Sequence, residues 1–407
     1  MKILILAPSE ICYHPRLLKA GDFFDMKGCE IIVFNAITGL AQKQVYEETI
    51  SRRNWKVYSN DITKQSFRSY FRWFLSSALF KTNQIFARIT GIYLSFKHGL
   101  VKSFIFFPNE LNNVSFDIII VNLVDSLPFA ISLARKTSAK VLYDSQEYFK
   151  GQYSILAALN YNWVVKAENS FINNSEIICT TTNVLKEKLE GEFSLSDKVF
   201  LLRNSPNLKK INYNKSHSKT LKIVWHGLTI VPENTRGLHI ILKAISFCKT
   251  PVHFYIQGNI TETNSIRLNK MLQEFNIIEK VTILKPALPD EIVESLVDYD
   301  LGVAGELSTE ENQLLTSSNK LFEYIAAGLA VVFPNLPGIA ETIKEYKNGL
   351  LFEQGNSKEL SMIIDDLNNN RLILEKLQSA SKKAYKTDLN WENDYSHIFD
   401  TLCPKKH

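Results

Sequence analysis

The residues best suited to chemistry lie in one run, SSNKLFEYIAAGLAVVFPNLPG, residues 317–338. Ser317, Ser318 and Asn319 are good helix N-caps, and Gly328 is a helix stop ahead of an apolar strand, so the run reads loop, helix, strand, loop. A helix N-terminus offers N–H groups and the positive end of its dipole to a diphosphate, and Lys320 in the first turn adds a full charge. Glu323 falls on the same face as Lys320, one turn on. A capping box would need Ser or Thr at position 320, where Lys stands. The carboxylate is therefore placed to accept hydrogen bonds from two vicinal ribose hydroxyls, as an acidic residue does in dinucleotide folds, or else to form a surface bridge to Lys320.

Such a run needs parallel strands with helices between them to hold it. KILILA (2–7), EIIVFN (30–35), DIIIVN (117–122), KVLYDS (140–145), EIICTT (176–181) and KVFLLRN (198–204) predict one sheet. A polar, aperiodic stretch over 206–220 predicts a linker. KIVWHG (222–227), HFYIQG (253–258), KVTILK (280–285), DLGVAG (300–305) and LAVVFP (329–334) predict a second sheet. The expected fold class is α/β, two Rossmann-like domains facing each other across a cleft lined by strand-to-helix loops, over 1–205 and 221–385.

Residues 62–108 interrupt this alternation. They are rich in aromatics and carry Lys64, Arg68, Arg72, Lys81, Arg88, Lys97 and Lys102 with no Asp or Glu. Phe67, Tyr70, Phe71 and Phe74 fall at helical spacing, so the insertion predicts either a helix lying at an anionic membrane surface or a helix capping the first core.

Net charge is +5, from 47 Lys and Arg against 42 Asp and Glu, too mild to imply nucleic acid. The five cysteines form no CxxC pair and read as free thiols in a reducing cytosol. MKILILAPSE predicts a first strand rather than a signal peptide, and no apolar stretch is long enough to span a bilayer, so a cytoplasmic location is expected. Walker A, GxGxxG, HExxH and GxSxG motifs are absent, which argues against P-loop NTPases, dehydrogenases, zincins and α/β-hydrolases. The eight histidines lack metal-ligand spacing, and Asp298-Tyr299-Asp300 reads as a turn between a helix and a strand, so no metal is expected.

NKLFEYIAAGLAVV, followed by Pro337-Gly338 and Glu341, resembles the donor-site signature of retaining GT-B glycosyltransferases of the large GT4-type, or group 1, family. HPRLLKAGDFFDMKGCEIIVF (14–34), AKVLYDSQEYF (139–149) and NSP (204–206) resemble further stretches of the same family, so the likeness extends over most of the chain. It implies a hexosyltransferase-type enzyme that takes a nucleotide diphosphate sugar as co-substrate, needs no cofactor, and retains anomeric configuration. The acceptor domain would be 1–205 and the donor domain 221–385, with 386–407, including Trp391 and Tyr395, packing back on the first domain. Arg236, just before Gly237, matches the family's basic residue at the donor diphosphate, and Gly227 the glycine that lets backbone approach phosphate. The implied catalytic set is Arg236, Lys320 and Glu323, and the donor-binding set Gly227, Leu228, Ser317, Ser318, Asn319, Leu321 and Glu306.

Three departures from the family pattern stand out. Leu315 occupies the place of a second carboxylate eight residues before Glu323, leaving Glu306, Glu310 or Glu311 to supply it. Leu228 stands where a basic residue often follows the glycine. In the first domain Asn122, with Asp125 nearby, and Gln146, before Glu147, stand where histidines are common. His14, Asn122, Asp125 and Glu147 are the acceptor-side candidates, and His226, ending KIVWH, faces the site mouth. Family chemistry, in which the leaving phosphate takes the acceptor's proton, tolerates the loss of a histidine. The expected function is sugar transfer to a glycan or lipid-linked acceptor in cell-surface polysaccharide synthesis, at the inner face of the membrane. A sugar-nucleotide 2-epimerase and a non-catalytic partner protein of the same fold are the rivals.

Overall fold

The computed structural model of the chain describes residues 1–39, 43–90, 101–152, 161–195, 197–213 and 218–403, with the backbone alone for residues 88 and 161–163. The expectations for 91–100, including Lys97, for 214–217 and for 404–407 lie outside the described residues. The chain divides into two units: Met1–Thr181 with Lys186–Leu202 and the segment from His397, and Thr182–Leu185 with Arg203–Ser396.

The first unit holds seven strands, β1 (Lys2–Ala7), β2 (Glu30–Ile37), β3 (Lys56–Asp61), β4 (Ile118–Val121), β5 (Lys140–Asp144), β6 (Ile177–Thr180) and β7 (Val199–Leu201). They pair in the order β3-β2-β1-β4-β5-β6-β7, all parallel. The second unit holds six, β8 (Leu221–Thr229), β9 (Val252–Asn259), β10 (Val281–Leu284), β11 (Leu301–Val303), β12 (Ala330–Pro334) and β13 (Gly349–Phe352), again all parallel, in the order β10-β9-β8-β11-β12-β13. Parallel strands are covered by helices on both faces, which is why β1, β4 and β12 are near-continuous buried apolar runs. Each order reverses once, between β1 and β4 and between β8 and β11, and that reversal opens a crevice beyond the strand ends.

Two strands lie outside the expected set, and both are at sheet edges. β3, KVYSND, has one strand neighbour and no apolar run. β13 depends on Gly349, where an added Cβ would lie 2.1 Å from the carbonyl oxygen of Val331 on β12. The two strands pair there, Val331 against Gly349.

The insertion contains a helix, Phe67–Thr90. Its buried residues are small or polar, Ser69, Ser76, Asn83 and Ala87, while Phe67, Tyr70, Phe71 and Phe74 face outward. That inverts the usual amphipathic pattern, so the aromatics do not cap the core. The stretch from Arg203 to Tyr213 has no helix or strand but is fastened within the second unit: Lys209 donates its N–H to the Tyr385 hydroxyl at 2.9 Å, and the Tyr213 hydroxyl donates to the Ala326 carbonyl at 2.9 Å. Near the end of the chain, Phe399 packs on Phe24 with ring centroids 5.8 Å apart, in the first unit. The chain rejoins that unit only from His397, so Trp391 and Tyr395, stacked at 5.0 Å, stay with the second unit, contrary to expectation.

Candidate functional site

The switch point of the second unit gathers most of the residues singled out by their chemistry. The helix Asn319–Ala326 starts at Ser318, whose extended backbone caps it without a side-chain hydrogen bond, and stops at Gly328, which has a left-handed φ of +69°. Lys320 is buried, yet its ammonium lies 3.0 Å from Glu306 Oε1, just beyond β11, and 5.8 Å from the centroid of the Trp225 ring on β8. The expected bridge from Lys320 to Glu323 is therefore not the one formed. Glu323 turns to His226 on β8, with Oε2 3.0 Å from Nε2. Tyr324 lies behind His226: its hydroxyl donates to the Val303 carbonyl and accepts the His226 backbone N–H at 3.2 Å, and its ring packs edge-on against the imidazole at 5.3 Å.

The loop carrying Arg236 is clasped to the end of β11. Gly237 has a φ of +65°, and a Cβ there would fall 1.6 Å from the carbonyl oxygen of Gly305. Leu307 donates its N–H to the Thr235 carbonyl at 2.7 Å. Two backbones touch where no side chain fits, and this close approach fixes the backbone of the Arg236 loop against the segment that follows β11. The Arg236 side chain is exposed and has no ion-pair partner among the described residues. With Lys320 neutralised by Glu306, the uncompensated positive charge of this site rests on Arg236.

Gly227 lies within β8, and Leu228 beyond it is 77% exposed, an apolar side chain held in solvent at the mouth. Asn319 accepts a hydrogen bond from the Asn204 amide, and the Ser317 hydroxyl is buried without a hydrogen-bond partner. Leu321 is fully buried in the core, which leaves only its backbone for a ligand. Of the three carboxylates considered as replacements at Leu315, Glu306 is the one paired to Lys320; Glu310 and Glu311 flank the start of the short helix Glu311–Leu315.

In the first unit, the switch point brings together two of the four acceptor-side candidates. His14 follows β1 and Asn122 follows β4; the His14 Nδ1 lies 3.2 Å from Asn122 Nδ2 and its Nε2 2.9 Å from Ser9 Oγ. An Asn122 amide that donates to Nδ1 requires the tautomer with its proton on Nε2, facing Ser9 Oγ. Burial lowers the His14 pKa to about 4, against the opposing field of Glu10, so the ring is neutral near pH 7. Glu10 itself is committed to the loop after β2, accepting from Thr38 N at 2.8 Å and Gly39 N at 3.0 Å. Asp125 has its pKa raised to about 6 by burial. Glu147, beyond β5, accepts from Gln152 at 3.2 Å.

Sequence patterns did not flag three buried groups here. Arg16 grips Asp144 through two hydrogen bonds of 2.7 and 2.6 Å, tying the first helix to β5. Glu168 is fully buried with neither carboxylate oxygen hydrogen-bonded, and burial raises its pKa to about 7. The Tyr143 hydroxyl is buried near Ser145, in the field of Glu168, Asp125 and Asp144. A polar residue in an apolar helix face is the available signal for Glu168. Among the described residues no group of His, Cys, Asp and Glu could hold a metal, and no helix is long and apolar enough to cross a membrane.

Residues 220–370 match the family described as glycosyl transferases group 1. No curated protein matches the sequence. Among solved structures, HepE of Anabaena in complex with UDP and glucose is 16% identical, with 99% of each chain covered and a TM-score of 0.66. A glycosyltransferase of Rickettsia africae ESF-5 is 14% identical over 100% of this chain and 99% of its own, with a TM-score of 0.64. TarM of S. aureus, solved with fondaparinux, α-GlcNAc-glycerol and UDP, is 10% identical over 99% of this chain and 100% of its own, with a TM-score of 0.69. At such identities these likenesses speak to fold, and they extend it over the whole chain. The segment 220–370, which carries the Lys320 and Glu323 site, thus matches the glycosyl transferases group 1 family, and the chain as a whole has the GT-B fold.

Proposed function

We propose that the chain is a retaining, GT4-type glycosyltransferase that moves a hexosyl group from a nucleotide diphosphate sugar to a hydroxyl of a glycan or lipid-linked acceptor. The observation that carries this reading is the grouping of Lys320 with Glu306, and of Glu323 with His226, at the β8–β11 switch point of the segment the family matches. Glu323 accepts from the ribose hydroxyls. Arg236, joined by Lys320 as it leaves Glu306, stabilises the departing diphosphate, which needs fixed positive charge where its negative charge develops. The Ser317–Asn319 loop and the Gly227 backbone shape the phosphate pocket. The UDP complexes of HepE and TarM support a nucleoside diphosphate as leaving group here.

The first unit holds the acceptor near His14 and Asn122. No metal or cofactor enters this reading. The basic, aromatic helix Phe67–Thr90 supports peripheral contact with the inner face of an anionic membrane and a place in cell-surface polysaccharide synthesis.

The test is a thermal-shift screen against UDP, GDP, ADP and CMP and their sugars, repeated with Lys320→Ala and Glu323→Ala. A ligand bound only by the native state stabilises it by ~2.7 kcal/mol at a hundred times its dissociation constant. Stabilisation by one nucleotide series, lost in both variants, supports the reading. No shift at millimolar nucleotide would move a non-catalytic role to the front, and donor turnover without any acceptor would favour a 2-epimerase.

A further inference from the structure

The first unit holds a cavity of about 390 Å³. Its floor includes Pro8, Thr38 and Ile62, the residues that directly follow β1, β2 and β3, so it opens at the carboxyl edge of the sheet, where open α/β folds take ligands. One wall is a face of the helix Phe67–Thr90: Ser77, Phe80, Lys81 and Gln84 line the cavity at positions i, i+3, i+4 and i+7. Lys102 lines it from the turn Lys102–Phe106. The size suits a small-molecule ligand.

The lining combines two chemistries. Pro8, Ile62, Phe80 and Val101 are apolar, whereas Lys81 and Lys102 bring two ammonium groups with no carboxylate partner among the described residues. The whole of 62–108 contains no acidic residue that could neutralise them. On the outer side of the same helix, Phe67 is 88% exposed, with Tyr70, Phe71 and Phe74 exposed beside it. Unpaired cations, an apolar lining and an outward aromatic row on one helix match a ligand that is anionic at one end and hydrocarbon at the other.

We infer that this cavity binds the phosphate ester end of a lipid-linked acceptor, with Lys81 and Lys102 holding the phosphate or diphosphate that joins lipid to glycan. The first carbons of the lipid lie against Phe80 and Ile62, and the outward aromatics enter the bilayer from which the lipid comes. This names the acceptor class and rests on the glycosyltransferase reading above.

The test is binding of farnesyl diphosphate to the full chain by titration calorimetry, with inorganic pyrophosphate and farnesol as separate probes and nucleotide thermal shifts run in parallel. Farnesyl diphosphate should bind more tightly than either half-probe. Its affinity should fall roughly tenfold for each lysine removed in Lys81→Ala/Lys102→Ala, while Lys81→Arg/Lys102→Arg retains it and Lys320→Ala leaves it unchanged. Equal affinity for pyrophosphate, equal binding by the double alanine variant, or loss with Lys320→Ala would overturn the inference. Nucleotide shifts without farnesyl diphosphate binding remove this inference alone; farnesyl diphosphate binding without nucleotide shifts removes the transferase reading and keeps the lipid phosphate site.

Discussion

In the second unit His226 Nε2 lies 3.0 Å from Glu323 Oε2, yet that buried nitrogen has no aligned hydrogen-bond partner. The two side chains are held close by β8 and the helix Asn319–Ala326 without being saturated by one another. A carboxylate with open lone pairs, backed by a ring packed edge-on against Tyr324, is preorganised to accept hydroxyl hydrogens.

Glu323→Gln keeps the size of the side chain and removes its charge. Two hydrogen bonds to a charged acceptor are worth ~1.5–3 kcal/mol each, so nucleoside diphosphate affinity should fall by at least roughly tenfold. The decisive comparison uses 2′,3′-dideoxynucleotides in calorimetry. The preference of the natural protein for the ribose form should collapse in Glu323→Gln, and an unchanged preference would show that the hydroxyls bind elsewhere.

The pair of Lys320 and Glu306 should show strong coupling in a double-mutant cycle. Both side chains are largely removed from solvent, so either single alanine substitution strands a charge, whereas the double substitution strands none. Denaturant unfolding should give each single variant a loss of ~1–3 kcal/mol, with the double variant losing less than the sum. Additive losses would mean that the 3.0 Å contact contributes nothing to stability.

How much of this was legible in the sequence depends on whether the relevant residues are neighbours in the chain. Lys320, Glu323 and the cap residues share one run, so helix spacing alone relates them. Their partners, Glu306 and His226, arrive through the adjacency of β8 and β11, a sheet order that linear spacing does not encode. The edge strands escaped for local reasons: β3 has no apolar run, and β13 depends on the approach of Gly349 to Val331. For the helix Phe67–Thr90, aromatic spacing indicated a face, but Ser69, Ser76 and Asn83 decide which face is buried, and hydrophobic periodicity does not register them.

Gly237→Ala should cost both stability and nucleotide affinity. A left-handed backbone at a residue with a side chain costs ~1–2 kcal/mol, and overpacking adds ~1–3 kcal/mol, since the Cβ would sit 1.6 Å from the Gly305 oxygen. Gly28→Ala is the control: φ is +77° there, with nothing within 4 Å of the added carbon, so only the backbone cost applies. Thermal unfolding should rank Gly237→Ala below Gly28→Ala, and only the former should weaken nucleotide binding by shifting Arg236. Equal effects of the two would show that the Arg236 loop is not held by this contact.

Glu168 should make the first unit less stable as pH rises. Burial lifts its pKa from the ordinary 4.5 to about 7, with Lys150 acting weakly in the opposite sense, so the folded protein keeps its proton where the unfolded chain has lost it. The stability that the neutral carboxyl permits is full below about pH 4.5 and is lost as pH climbs through about 7. At ~1.4 kcal/mol per pKa unit the loss amounts to about 3 kcal/mol. Glu168→Gln, which mimics the protonated form beside Tyr143, should match the natural protein in thermal unfolding at pH 5 and exceed it at pH 8. Parallel melting profiles for the two proteins between those pH values would mean that Glu168 is ionised in the fold and that its charge finds compensation.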